Sequence, residues 1–162
     1  MADKKIYVAG HRGMVGSAIV RRLERGGYRS LITRSRQQLN LLDQKMVYDF
    51  LSEEQPDYIF MAAAKVGGIL ANNTYRADFL YENLQIQNNV IYGAMKAGIK
   101  DMCFLGSSCL YPRESAQPIK EDYLLTGPLE KTNEPYAVAK IAGIKLCESI
   151  NRQHDARFVC AM

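Results

Sequence analysis

Seven residues constrain this chain more than any others: Gly10-His11-Arg12-Gly13-Met14-Val15-Gly16. They follow a short apolar run, Lys5 to Ala9 (KIYVA), and open a segment with apolar residues at Val15, Ile19, Val20 and Leu23. That order reads as a buried strand, a glycine turn and an amphipathic helix from Met14 to Arg25, closed by Gly26-Gly27. Glycines at this spacing allow a tight turn and let a pyrophosphate approach the backbone, where a helix N-terminus supplies N–H groups and positive potential. A merely tight strand-to-helix turn is the competing explanation; the strand–turn–helix context favours dinucleotide binding.

The rest of the chain keeps alternating. Strands are predicted at Leu31–Arg34, Tyr58–Ala63, Met102–Leu105 and Arg157–Ala161. Helices are predicted from the N-cap Asp43 to about Glu54, from Thr74 to Ala97, and from Pro135 to about Arg152. Alternation of this kind implies an α/β fold with a doubly wound parallel sheet, a Rossmann arrangement. The expected strand order is 3-2-1-4-5, with ligands at the switch between strands 1 and 4, where Gly10–Gly16 and Gly106–Cys109 both fall. Residues 107–134 show no period and carry Pro112, Pro118 and Pro128, so they are expected to be a functional connection on the substrate side. The whole span 1–162 reads as one dinucleotide-binding domain. It stops at the fifth strand, so a carboxy-terminal substrate domain is expected to be absent and the chain to be the amino-terminal part of a longer protein.

Composition narrows the class. Apolar residues are 48% and charged residues 23% of 162, which fits one globular domain and excludes a disordered or fibrous chain. No apolar run approaches the roughly 18–20 residues of a membrane helix; the longest candidate, Phe60–Leu70, carries Lys65. Met1 to Lys5 leads into too short an apolar run for a secretory signal, and a cytoplasmic protein without membrane contact is expected. Cys103, Cys109, Cys147 and Cys160 include no C-x-x-C pair, and the only histidines are His11 and His154. No metal site is expected, and the thiols read as reduced. Residues 1–36 hold nine Lys/Arg against two Asp/Glu, which points to an anionic ligand there. No basic stripe interleaved with aromatics speaks for nucleic acid.

Three further segments carry chemistry. Where NAD-binding folds place an acid on the ribose hydroxyls, this chain has Thr33-Arg34-Ser35-Arg36-Gln37. Guanidinium groups suit a 2′-phosphate, and Arg12 can reach the same group, so NADP(H) is the expected cofactor. Tyr136-Ala137-Val138-Ala139-Lys140 puts Tyr136 and Lys140 on one helix face. The ammonium is expected to lower the tyrosine pKa, so that Tyr136 exchanges a proton with a carbonyl or alcohol while Lys140 bonds the nicotinamide ribose. Gly106-Ser107-Ser108-Cys109 follows the fourth strand; Ser107 is placed to bond a substrate carbonyl, and Cys109 reads as a proton donor or base, or as a small buried hydrophobe. Cys103, Cys147 and Cys160 read as core.

Together these segments resemble the extended short-chain dehydrogenase/reductase family of sugar-nucleotide enzymes. Ala62-Ala63-Ala64-Lys65-Val66-Gly67-Gly68-Ile69, Asn72-Asn73-Thr74 and Asn133-Glu134-Pro135-Tyr136 through Arg152-Gln153 carry the likeness further. The resemblance implies a GDP-linked 4-keto-6-deoxy sugar as substrate, epimerised at C3 and C5 and then reduced at C4 by NADPH. It implies catalytic roles for Ser107, Cys109, Tyr136 and Lys140. It implies cofactor contacts from Gly10 through Gly16, from Arg36, Gln37, Gln38, Leu39, Asn40 and Leu41, from Leu105, Gly106, Ser107 and Ser108, and from Lys140. A partner histidine for Cys109 is also implied; neither His11 nor His154 maps onto it, so this chain alone is expected to be inactive. The family further implies a homodimer, here through helices 74–97 and 135–152. An epimerase or dehydratase that recycles bound NAD is the alternative enzyme, disfavoured by the missing acid after strand 2. A non-catalytic NADP-binding module is the other alternative, and it has no need of Ser107, Tyr136 and Lys140 together.

Overall fold

Ile6–Ala9 is apolar at every position, and all four residues of this first strand, β1, are buried. A strand apolar on both faces belongs inside a covered parallel sheet. The computed structural model, which describes residues 3–162, places it there; Met1 and Ala2, part of the leader reading above, lie outside the described residues. The other strands are β2 (Leu31–Ile32), β3 (Tyr58–Met61), β4 (Asp101–Leu105) and β5 (Arg157–Ala161). All pair in parallel, in the order β2-β1-β3-β4-β5.

The sheet is doubly wound, but β3 lies beside β1 and not outside β2. β2 offers only two residues to a neighbour, Leu31 and Ile32, whereas the free edge of β1 pairs four, from Ile6 against Tyr58 to Ala9 against Met61. Two paired residues make a poor template for a further strand. The switch therefore falls between β1 and β3, not between β1 and β4 as the expected order required. The end of β3, Ala62–Lys65, is thereby brought to the crevice.

Right-handed crossovers put α1 (Met14–Arg25) on one face and α2 (Gln44–Glu54), α4 (Arg76–Lys96) and α5 (Glu134–His154) on the other. α2 packs on α4, and α4 on α5. The Asp43 side chain caps α2 by accepting from Met46 N at 3.0 Å. The core beneath these helices includes Val47, Leu51, Ile59, Met61, Val90, Ile91, Met102, Phe104 and Ile144. The segment expected to be one helix from Thr74 is divided: α3 spans Ile69–Thr74, and Tyr75 leaves helical geometry (φ −104°, ψ 46°) before α4 starts. Asn72, inside α3, donates to the carbonyls of Gly67 and Gly68 at 2.8 and 3.1 Å and so secures the start of that short helix. Residues 107–134 contain two short 3₁₀ turns, Ser108–Leu110 and Glu121–Tyr123.

α5 is covered on two sides, by the sheet and by α4, so its broad apolar surface is accounted for within the chain. Val138 on α5, and Tyr81 and Tyr92 on α4, remain exposed. No helix among the described residues is long and apolar enough to cross a membrane. Of the three remaining cysteines, Cys147 is buried in the core, while Cys103 and Cys160 are half-buried.

Candidate functional site

At the end of β1 the chain turns through Gly10, whose φ is +81°. A Cβ on Gly10 would sit 2.7 Å from Ala63 N, and one on Gly16 would sit 2.2 Å from Gly10 O. Neither position has room for a side chain, because α1 and the end of β3 close directly onto the turn. Gly13 differs: its Cβ would meet only Gly10 O, at 3.4 Å, and Gly13 lines a cavity of about 730 Å³. α1 begins there with no side-chain cap and no acid in its first turn, leaving N–H groups and a positive helix end for an anion. A bare glycine wall at a free helix start fits a dinucleotide pyrophosphate.

Of the sequence-predicted cofactor residues, Gly10, Gly13, Met14, Val15, Gly16, Arg36, Leu39, Asn40 and Leu41 line this cavity. His11, Arg12, Gln37 and Gln38 border the same turns without lining it. The Gln38 side chain accepts from Ser35 N at 2.9 Å, closing the turn that presents Arg36. The two arginines after β2 part company. Arg34 donates to Glu54 at 2.5 Å and to Thr33 O at 3.0 Å, and lies over the Phe50 ring at 5.4 Å. Lys5 also pairs with Glu54, at 2.8 Å. The bond from Lys5, and then the Arg34 charge, holds the Glu54 carboxyl below its ordinary pKa. Arg36 is exposed at the cavity and is the guanidinium left for a phosphate.

The second group gathers at the end of β4, one strand beyond β3. Cys109 Sγ donates to Ser107 Oγ at 3.2 Å. The Tyr136 phenol stands close enough to the same serine for Ser107 to bear on its pKa. Lys140, 3% exposed, donates to Leu105 O at 2.8 Å and lies 4.5 Å from the centre of the Phe104 ring. Ser107, Cys109, Tyr136 and Lys140 thus form one cluster, as the sequence motifs imply. Leu105, Gly106, Ser107, Ser108 and Lys140 stand at this end and not on the walls of the large cavity.

The protonation states correct one expectation. Burial, and then the nearby Cys109, raise the Tyr136 pKa; the Lys140 ammonium does not turn it into a tyrosinate. The ammonium is engaged by the Leu105 carbonyl and the Phe104 ring, and burial lowers Lys140 itself to about 8. Burial also pushes the Cys109 thiol up, with the bond to Ser107 and the charge of Lys140 opposing. Phenol and thiol are both protonated here, so the cluster is a pair of proton donors around one serine hydroxyl.

Several cavity residues were not among the expected site residues. Ala62, Ala63, Ala64, Lys65, Glu82 and Ile86 line the cavity because β3 neighbours β1. Lys65 pairs with Glu82 at 2.5 Å. Two buried asparagines of α4 each hold a stretch of the cavity wall. Asn83 accepts from Lys65 N at 2.9 Å and donates to Lys65 O at 3.0 Å. Asn89 donates to Leu41 O at 2.9 Å. The available signal was their placement on the helix: Asn83, Gln87 and Asn89 share the buried side with Phe79, Val90 and Ile91. Buried polar side chains of this kind are retained where they bond something specific. Among the described residues no group of three or more His, Cys, Asp or Glu is placed to hold a metal ion.

A doubly wound sheet with a glycine turn at its switch and a Ser–Tyr–Lys cluster at the end of β4 defines a class, and the chain belongs to the NAD dependent epimerase/dehydratase family, matched over residues 6–162. Individual relatives narrow the comparison. The chain is 56% identical over 162 residues to GDP-L-fucose synthase of Escherichia coli (strain K12), covering 100% of this chain and 50% of that protein. It is 57% identical over 156 residues to GDP-L-fucose synthase 1 of Arabidopsis thaliana, covering 95% and 48% of the two chains. The structure of MlghC, GDP-mannoheptose C4 reductase from Campylobacter jejuni with NADP bound, superposes with a TM-score of 0.95 at 42% identity, covering 99% of this chain and 51% of that one. The chain thus spans about half the length of the curated relatives it matches.

Proposed function

We propose that this chain is the NADP-binding domain, residues 1–162, of an enzyme that epimerises GDP-4-keto-6-deoxy-D-mannose at C3 and C5 and reduces it at C4 to GDP-L-fucose. NADPH, when bound, supplies the hydride for C4. The glycine turn and the start of α1 take the pyrophosphate, and Arg36 takes the 2′-phosphate. Ser107 bonds the C4 oxygen and Tyr136 delivers a proton to it. Cys109 and the partner histidine expected in the other half exchange protons at C3 and C5, one removing a proton and the other delivering one on the opposite face of carbons acidified by the neighbouring ketone. The raised pKa of both Cys109 and Tyr136 suits proton delivery. Lys140, fixed on Leu105 O, holds the helix that carries Tyr136 against the end of β4.

The observation that carries this reading is Ser107: Cys109 Sγ donates to its hydroxyl at 3.2 Å and the Tyr136 phenol stands beside it, so two acids flank one hydroxyl. A cofactor sensor has no use for that convergence. The test is Cys109→Ser and Tyr136→Phe in the protein carrying both halves. Cys109→Ser is expected to abolish deuterium uptake from heavy water at C3 and C5, and Tyr136→Phe to abolish reduction while uptake persists. Unchanged uptake in Cys109→Ser refutes the assignment of Cys109. The 162-residue chain alone is expected to bind NADPH without turnover.

The same reading places the enzyme in the cytoplasm and makes it a homodimer. The exposed Tyr81, Tyr92 and Val138 on α4 and α5 support a shared helical interface. Sedimentation equilibrium of the protein carrying both halves tests the dimer; a monomer at micromolar concentration refutes it.

A further inference from the structure

Tyr7 has no part in the reaction just described, yet its position is unusual. It sits in the middle of β1, is 2% exposed, and lines the large cavity. Its ring is fixed edge-on against Phe50 of α2, centroids 4.9 Å apart and planes at 63°. Among the described residues its hydroxyl has no hydrogen-bond partner; the influences on it are burial and the charge of Arg34. Nor is it sealed in the core, where the orphaned atoms are Asn72 Oδ1, Gln87 Oε1 and Asn133 Oδ1. A phenol held this deep, unpaired and facing a cavity is costly unless the occupant of the cavity completes it. Burial pushes its pKa further up, so it faces the cavity as a neutral donor.

The surroundings say which part of an occupant it meets. The apolar lining of the cavity includes Leu39, Leu41, Leu42, Ala63 and Ile86. Arg36, by contrast, is exposed at the rim. A charged phosphate belongs with the exposed guanidinium, where water shares its solvation. A neutral donor at a buried site suits an uncharged acceptor on a flat, largely apolar group. We propose that the Tyr7 hydroxyl donates a hydrogen bond to the adenosine part of the bound dinucleotide, making Tyr7 a cofactor-recognition residue. This rests on the dinucleotide reading of the cavity. Tyr7 would then read the nucleoside common to NADPH and NADH, while Arg36 reads the phosphate that separates them.

The experiment is Tyr7→Phe in the 162-residue chain, titrated with NADPH and with NADH by calorimetry or nicotinamide fluorescence, alongside the melting temperature. Phenylalanine keeps the ring and its contact with Phe50, so the fold is expected to be retained or slightly stabilised. Loss of one hydrogen bond to a neutral acceptor is expected to weaken both dinucleotides by a common factor of about three to ten. Unchanged affinity overturns the proposal. Weakening of NADPH alone overturns it too, because the acceptor would then be the 2′-phosphate. Absence of NADPH binding by the unsubstituted chain is a different failure, since it refutes the dinucleotide reading itself and this assignment with it.

Discussion

Lys140 Nζ donates to the carbonyl oxygen of Leu105 at 2.8 Å, tying the buried side of α5 to the last residue of β4. The link crosses 35 positions of sequence and is made by an ammonium that burial disfavours. Lys140 therefore binds its proton less tightly in the folded chain than in the unfolded one.

That difference has a pH signature. A lysine lowered to about 8 in the fold and near 10.4 when unfolded lets the unfolded chain hold more protons between those values. Stability then rises with pH across that window, by about 3 kcal/mol at most. Below pH 8 the contribution is flat, because both states carry the proton. Lys140→Met is expected to remove this rise, read as the difference between the two proteins in urea unfolding from pH 7.5 to 10. Parallel pH profiles for the two proteins would contradict it.

Two glycines of the first turn are expected to separate fold from ligand. Gly16→Ala drives a Cβ to 2.2 Å from Gly10 O and is expected to cost about 3 kcal/mol or more. Gly13→Ala meets only Gly10 O at 3.4 Å and is expected to melt within about 2 °C of the parent. Its methyl group enters the cavity and should weaken NADPH by at least about tenfold. Equal effects of the two substitutions on melting would show that the turn tolerates no side chain anywhere.

Arg34 and Arg36 are two residues apart and are expected to fail differently. Arg34→Ala removes the pair with Glu54 and the contact with Phe50, so stability falls by about 1 kcal/mol while the preference for NADPH over NADH is kept. Arg36→Ala leaves melting unchanged and lowers the preference for NADPH by about tenfold or more. Dinucleotide titrations with both variants decide it, and a lost preference in Arg34→Ala would reverse the assignment.

Asn83 bonds both backbone groups of Lys65 and also donates to Phe79 O at 2.7 Å. Asn83→Ala strands the Lys65 amide and carbonyl and is expected to cost about 2–3 kcal/mol. NADPH affinity should fall with it, because the Ala62–Lys65 wall is no longer held. Full affinity in a folded Asn83→Ala chain would show that the wall stands without this clamp.

Much of the frame was legible in the residues. β5 runs from Arg157 to Ala161, α1 from Met14 to Arg25, and Asp43 caps α2, as the sequence predicts. These features depend on neighbours within a turn or two: apolar periodicity, a capping carboxylate, glycines at a strand end. The Ser107–Cys109–Tyr136–Lys140 cluster was also legible, since two short motifs identify it once β4 and α5 are adjacent.

Order and environment were not legible. Whether β3 joins β1 or β2 depends on how many residues each edge can pair, and β2 proves only two residues long. That choice decided that Ala62–Lys65 would wall the cavity. The spacing of Tyr136 and Lys140 puts them on one helix face, but burial, and then the nearby Cys109, raise the pKa of the phenol and keep it protonated. The sequence determined by itself the elements, the glycine turn and the residue types at the site, because local patterns specify them. Strand order, the walls held by Asn83 and Asn89, and the protonation of the acids were decided by the tertiary structure, because pairing and desolvation act between residues far apart in the chain.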